Sequence, residues 1–437
     1  MQVESLVNAR WVVPVEPGHP VRDYHSIAIE NGRIHAILPT TEAREQFTAA
    51  RTVDLPRHAL IPGLVNAHTH AAMSLFRGLA DDLPLMDWLQ DHIWPAESKW
   101  AHEEFIADGT RLAVAEMLRG GTTCFNDMYF FPDITARVAA EAGIRSVIGL
   151  ILIDFPSAWA EDTDSYLSKA VEVHDSLRNE PLVSTSFAPH APYSVSDTPL
   201  QRMLVLANEL ELPIHMHVHE TDEEIRQGMD AHGCRPLERL ARLGLLGPSL
   251  AAVHMTHLSD AEIARVSESG ASVVHCPESN LKLASGFCPV QRLLDAGVNV
   301  ALGTDGAASN NDLDMLSEMR TAALLGKGVA KDPSALPAET VLRMATLNGA
   351  RALGLAEQTG SLVAGKIADI TAIDLGQPQT QPVYNPVSQI VYAAGREQVS
   401  DVWVAGQRLV SNSRVNCMDL QSITLNAARW GQRIGQD

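Results

Sequence analysis

The sequence predicts an α/β chain: a (β/α)8 TIM-type barrel carrying a small β-sandwich domain built from both chain ends. Three observations carry this. Apolar, β-branched runs alternate with segments of helical period over about 250 residues, the length of such a barrel. Short strands punctuated by turn residues occupy both ends. Histidines and acids fall where the apolar runs stop, the edge at which barrels keep their chemistry. At 437 residues the chain exceeds one ordinary core. An open doubly wound sheet is the alternative, but no Gly-x-Gly-x-x-Gly turn follows a strand. The expected division is 1–58 and 361–437 for the two parts of the small β domain, with 59–360 as the barrel.

Taken in order, strands are expected at 5–15, 25–30 and 33–38, the last two joined by an Asn31-Gly32 turn. The eight barrel strands are expected at 60–67, 122–128, 146–153, 182–188, 213–218, 250–255, 272–275 and 298–303. Helices at 103–118, 166–177, 200–210 and 260–268 lie between them. A last helix near 338–353 precedes strands at 366–374, 387–393 and 401–410, with turns at Gly365 and Ala405-Gly406.

Composition narrows the function. The net charge is −20 with the acids dispersed, which argues against phosphate-led binding of nucleic acid. Hydrophobic residues make up 46%, yet no run reaches transmembrane length and no signal-like segment opens the chain. The five cysteines include no Cys-x-x-Cys pair. A reducing, cytoplasmic setting without membrane partners is expected.

The polar strand ends are the informative part. His68 and His70, two residues apart on a strand, point to the same side and together suit a divalent metal. His190 follows strand four; His215, His217 and His219, then Glu220, follow along strand five. His254 ends strand six, His275 strand seven, and Thr304-Asp305-Gly306 strand eight. Spacing alone does not choose a ligand among His215, His217 and His219. One such histidine is usually a structural residue, but so many at one barrel mouth argue for a shared site.

The set 62–70 (Pro-Gly-Leu-Val-Asn-Ala-His-Thr-His), His217-Val218-His219-Glu220, His275-Cys276-Pro277-Glu278-Ser279-Asn280 and Gly303-Thr304-Asp305-Gly306 resembles the amidohydrolase superfamily. The nearer likeness is to its aminohydrolases and chlorohydrolases of nitrogen heterocycles. The run 71–78, with Trp94-Pro95-Ala96-Glu97, resembles 5′-methylthioadenosine/S-adenosylhomocysteine deaminases. The likeness extends to Gly365-Lys366-Ile367-Ala368-Asp369 near the far end.

The resemblance implies one divalent metal, zinc by default, on His68, His70, His217 and Asp305. Its His-x-x-Glu pattern selects His217 over its neighbours, leaving His215 and His219 packing roles. Strand four has no lysine to bridge a second ion. The implied reaction is hydrolytic deamination of an adenosine-type nucleoside, in which a metal-activated hydroxide attacks C6 of the purine. Glu220 would protonate the ring, Asp305 would shuttle protons, and His254 would orient the water or share the base role. Glu97 and His190 would contact the sugar, although unaided Glu97 reads as a surface acid. Trp88 would line the pocket, or serve simply as core. His275 would support the ligands from behind, while Asn280 and Lys282 shape the strand-seven loop.

The residues after strand three include no arginine for a homocysteine carboxylate. Instead Phe155, Pro156 and Trp159 suggest an apolar wall, so 5′-methylthioadenosine is expected before S-adenosylhomocysteine. Guanine-type or triazine aminohydrolases and chlorohydrolases are the rival enzymes, and a metal-free scaffold the rival of another class. A homo-oligomer is common among such barrels.

Overall fold

The computed structural model describes residues 1–436. Two eight-stranded sheets organise it. In the barrel sheet the parallel strands follow chain order: Leu64–Thr69, Thr122–Tyr129, Arg145–Leu152, Val183–Pro189, Ile214–Val218, Leu250–His254, Ser272–His275 and Val300–Leu302. These are the first to eighth barrel strands. All but one of their residues are buried, which is why they read as apolar runs rather than alternating ones. The ring closes at its mouth, where the Asp305 N–H donates to the His68 carbonyl at 3.1 Å. Among the helices packed outside are Glu103–Arg119, Pro132–Ala142, Thr163–Leu177, Asp197–Glu209, Asp260–Ser269 and Met315–Ala330.

The second sheet draws Gln2–Val12, Arg22–Glu30, Arg33–Pro39 and Thr48–Pro62 from the N-terminal part. Ile370–Asp374, Val399–Val404, Gln407–Ser411 and Arg414–Val415 come from the C-terminal part. Asn31 (φ 51°) and Gly32 (φ 71°) make the expected hairpin, since a type I′ turn needs positive φ at both positions. The two halves join where Thr48–Pro62 pairs antiparallel with Ile370–Asp374.

Four expectations are corrected. Residues 60–62 complete the small-domain strand, so the first barrel strand starts at Leu64 after a handover at Gly63. A Cβ on Gly63 would stand 2.0 Å from the Thr123 hydroxyl; no larger residue lets the chain pass so close. Residues 387–393 are no strand but helix Pro386–Tyr392, because Asn385 caps it by accepting from Val387 and Ser388 N–H, with Pro386 at its first position. The helix at 338–353 is two, Ala338–Met344 and Leu347–Ala352. The far end, read as part of the β domain, finishes in helix Leu420–Ile434. No helix among the described residues is long and apolar enough to cross a membrane.

Candidate active site and metal centre

One ligand atom from each of His68, His70, His217 and Asp305 lies within 4.8 Å of all the others. His68 and His70 leave the first strand on one side. His217 comes from the fifth strand and Asp305 from just beyond the eighth. Gly303 allows this approach: a Cβ there would sit 2.8 Å from the His68 nitrogen. Asp305 itself adopts φ 63°, a left-handed backbone that turns its carboxylate into the mouth.

The donor set fits a cation. His68 Nε2 lies 3.1 Å from His217 Nε2 and 3.1 Å from Asp305 Oδ1, and His70 Nε2 is 3.2 Å from the same oxygen. Bonds of about 2.0–2.1 Å to a tetrahedral ion place neighbouring ligands about 3.3 Å apart. His70 Nδ1–H donates to Met128 O at 2.5 Å and His217 Nδ1–H to His190 O at 2.8 Å, leaving each Nε2 lone pair free. Burial pushes His68 down to about 4 and His217 well below its usual range, so both are neutral at pH 7, as metal ligation requires. Burial lowers His70 too, but the Asp305 carboxylate outweighs it and lifts His70 to about 9. That attraction is the one a metal ion would take over.

Supports surround the four. His215 Nε2 is 2.7 Å from His68 Nδ1, and its Nδ1 meets the Asn126 amide at 2.7 Å; it lies behind His68, outside the cluster of four. Ser279 and Ser309 hydroxyls donate to Asp305 Oδ2 at 2.7 and 2.9 Å. His219 does not share the face of its neighbours. With φ 54° past the strand end, it turns away to donate to His257 O and accept from Leu237 N–H. His275 is buried behind the site, its Nδ1 unpartnered.

Glu220 and His254 stand beside the ligands. His254 (φ 74°) donates from Nδ1 to Asn280 Oδ1 at 2.9 Å, and its Nε2 is 3.8 Å from Glu220 Oε2. Asn280 thus orients His254, while Lys282 reaches out to Asp81 at 2.6 Å. Burial raises the Glu220 carboxyl, with Asp305 adding to the rise and His254 opposing it. Glu224, which sequence reasoning passed over, fixes this turn by accepting from His219 and Glu220 N–H at 2.9 and 2.7 Å.

A cavity of about 760 Å³, counting its open mouth, leads to these groups. Its wall includes His70, Trp88, Glu97, His190, His217, Glu220, His254 and Asp305. Trp88 and Glu97 hang from a nearly continuous helical roof: Leu85–Trp88, a π turn Leu89–Ile93, and Trp94–Trp100. Leu85, Leu89, Ile93 and Glu97 recur every fourth residue and all face the cavity. Glu97 is partly exposed, but into this enclosed space, and loss of bulk water lifts its carboxyl to about 7. His190 is held by Ser194 at 2.8 Å.

Of the expected apolar wall, Phe155 lines the cavity. Pro156 lines an adjoining recess with Trp94 and Glu97. Trp159 does not contribute; it is buried in the core against Tyr166, ring centres 5.5 Å apart. Tyr129 and Tyr193, which the sequence reading did not single out, do line it. Tyr129 follows Asp127-Met128 at the end of the second strand, the position that marked the other site residues.

The chain is similar to known proteins along its whole length. A 5-methylthioadenosine/S-adenosylhomocysteine deaminase of Teredinibacter turnerae is 49% identical over 433 residues, covering 99% of this chain and 98% of that one. A crystal structure described as an adenosine deaminase from Xanthomonas campestris with bound zinc is 54% identical, with TM-score 0.99 over 100% of this chain and 99% of that one. An atrazine chlorohydrolase of Arthrobacter aurescens complexed with zinc shares the fold at TM-score 0.91 and 24% identity, covering 98% of this chain and 99% of its own. The family model described as amidohydrolase matches residues 59–409. With that match spanning most of the sequence, and the barrel, its mouth and its ligand cluster in place, the chain belongs to the amidohydrolase family.

Proposed function

We propose that the chain is a metal-dependent deaminase that hydrolyses the 6-amino group of adenosine-type nucleosides, 5′-methylthioadenosine foremost, yielding 5′-methylthioinosine and ammonia. The observation that carries this is one cavity lined by His70, His217 and Asp305 of the His3Asp cluster together with Glu220, His254, Glu97 and an apolar wall. The names of the Teredinibacter and Xanthomonas relatives support it.

His68, His70, His217 and Asp305 would hold the ion, zinc by the choice of ligands and by the relatives' bound metal. When bound, such an ion lowers the pKa of a coordinated water from about 15.7 to about 7. The remaining work falls to side chains. His254, its ring fixed by Asn280, orients the attacking water. The Asp305 carboxylate, steadied by Ser279 and Ser309, takes a proton as the C6–O bond forms. Glu220, whose carboxyl burial shifts toward the protonated form, donates to ring N1 and makes C6 electrophilic. The proton on Asp305 then passes to the amino group, the C6–N bond breaks, and ammonia leaves. The C6 hydroxyl proton returns to Glu220, leaving the lactam with N1–H.

Glu97 and His190 are placed to read the sugar. A carboxylate that accepts from ribose hydroxyls favours nucleosides over free bases and triazines. No Lys or Arg is among the described residues lining the cavity, whereas Phe155, Ile151, Ile153 and Phe130 are. A methylthio group suits that wall; the zwitterionic end of S-adenosylhomocysteine does not.

Steady-state comparison of 5′-methylthioadenosine, S-adenosylhomocysteine, adenosine, adenine and guanine tests the reading. The first is expected to have the highest kcat/KM, and a preference for either free base contradicts it. Glu220→Gln is expected to retain metal and lose about 10²- to 10⁴-fold in kcat; a fully active variant would remove the ring-protonation step.

A further inference from the structure

Tyr129 ends the second barrel strand with its ring against the cavity, 4% exposed and 6.3 Å from the His70 ring. Its hydroxyl is buried and has no hydrogen-bond partner among the described residues. The Glu97 carboxyl stands beside it, near enough for each to shift the other's titration, but the two do not make a hydrogen bond of regular geometry. Few buried hydroxyls in folded proteins go unpaired, because the lost hydration is not returned. A pair left open at a cavity wall is suited to a ligand that completes it.

The chemistry of that ligand follows from the pair. The phenol supplies an O–H donor, an ionised carboxylate only accepts, and a sugar hydroxyl does both. One ribose hydroxyl set between them donates to Glu97 and accepts from Tyr129, satisfying all three groups. We infer that Tyr129 is a further specificity-determining residue, its hydroxyl gripping with Glu97 a single ribose hydroxyl of the nucleoside. This rests on the nucleoside reading above and adds a donor to a sugar site otherwise built on Glu97 and His190. Phe in its place keeps the ring in the cavity wall and removes only the donor.

The test compares wild type and Tyr129→Phe on 5′-methylthioadenosine and its 2′-deoxy and 3′-deoxy analogues. The variant is expected to lose about 5- to 10-fold in kcat/KM on the parent nucleoside, mostly through KM. On the analogue lacking the gripped hydroxyl it should stay within about twofold of wild type, because the bond is already absent. Metal content is expected to be unchanged, and the thermal midpoint of the ligand-free protein equal or higher, since no internal bond is lost. Equal losses on all three substrates, no loss on any, or a lowered midpoint overturn the inference. A wild-type enzyme that ignores nucleosides overturns the underlying reading as well. One that turns them over, with an unselective Tyr129→Phe, overturns this inference alone.

Discussion

Glu97 sits on a roof helix with no fully buried residue, yet its carboxyl faces the enclosed cavity and is held up to about 7 from its ordinary 4.5. A raised carboxyl is protonated below that value and ionised above it, and the ionised form is the better acceptor for sugar hydroxyls. The kcat/KM for nucleosides is therefore expected to climb as pH passes through about 7. Glu97→Gln should lose that climb and fall about 10-fold at pH 8; a variant with the wild-type profile contradicts the role given to Glu97. His68, His70 and Asp305 stood out because each interrupts an apolar run at its end, whereas only the family's His-x-x-Glu pattern singled out His217 from its neighbours. Tyr129 did not stand out, since a tyrosine closing a buried strand looks like core. Spacing did not set His219 apart from His215 and His217, because alternation fails where φ turns positive.

The roof that carries Trp88 and Glu97 is anchored at its far end by helix Leu420–Ile434. Trp430, 2% exposed, packs edge-on to Trp100 at 6.1 Å and Phe105 at 5.4 Å, and its Nε1–H donates to Asp108 at 3.1 Å. The Arg433 guanidinium lies 4.0 Å from the Trp430 ring centre and 5.3 Å from that of Trp100. Trp430→Ala is expected to cost about 3–5 kcal/mol of stability and to raise KM for nucleosides through the slackened roof. Urea denaturation alongside steady-state kinetics checks both, and a variant within about 1 kcal/mol of wild type would deny this anchor. Sequence reading passed over that helix, although its buried residues Ile423, Trp430 and Ile434 recur at helical spacing. The helix at Pro386–Tyr392 escaped because its Val and Ile content masks the Asn-Pro start. Handover at Gly63 was hidden inside one unbroken apolar run shared by two sheets.

At the scale of the molecule, the barrel and the small sheet are joined through Asp369. Its carboxylate pairs with buried Arg145 of the third barrel strand at 2.9 Å and accepts from Ala405 N–H at 2.7 Å and Thr359 at 3.0 Å. Its carbonyl accepts from Gly63 N–H at 2.9 Å, at the handover itself. Asp369→Ala leaves a buried guanidinium unpaired and is expected to cost about 3–5 kcal/mol, with both parts unfolding in one transition. A loss below about 1 kcal/mol, or two separate transitions, contradicts this coupling.

The same frame that couples the domains also brings four side chains from three strands to one point, and everything proposed about activity depends on that point holding an ion. The direct test is metal content by inductively coupled plasma mass spectrometry, read beside ammonia release from 5′-methylthioadenosine. The expected result is one divalent ion per chain, with metal and ammonia release lost together in His68→Ala and after chelation, and both restored to the chelated wild type by zinc. Full-rate ammonia release from protein stripped of divalent metal would contradict the account.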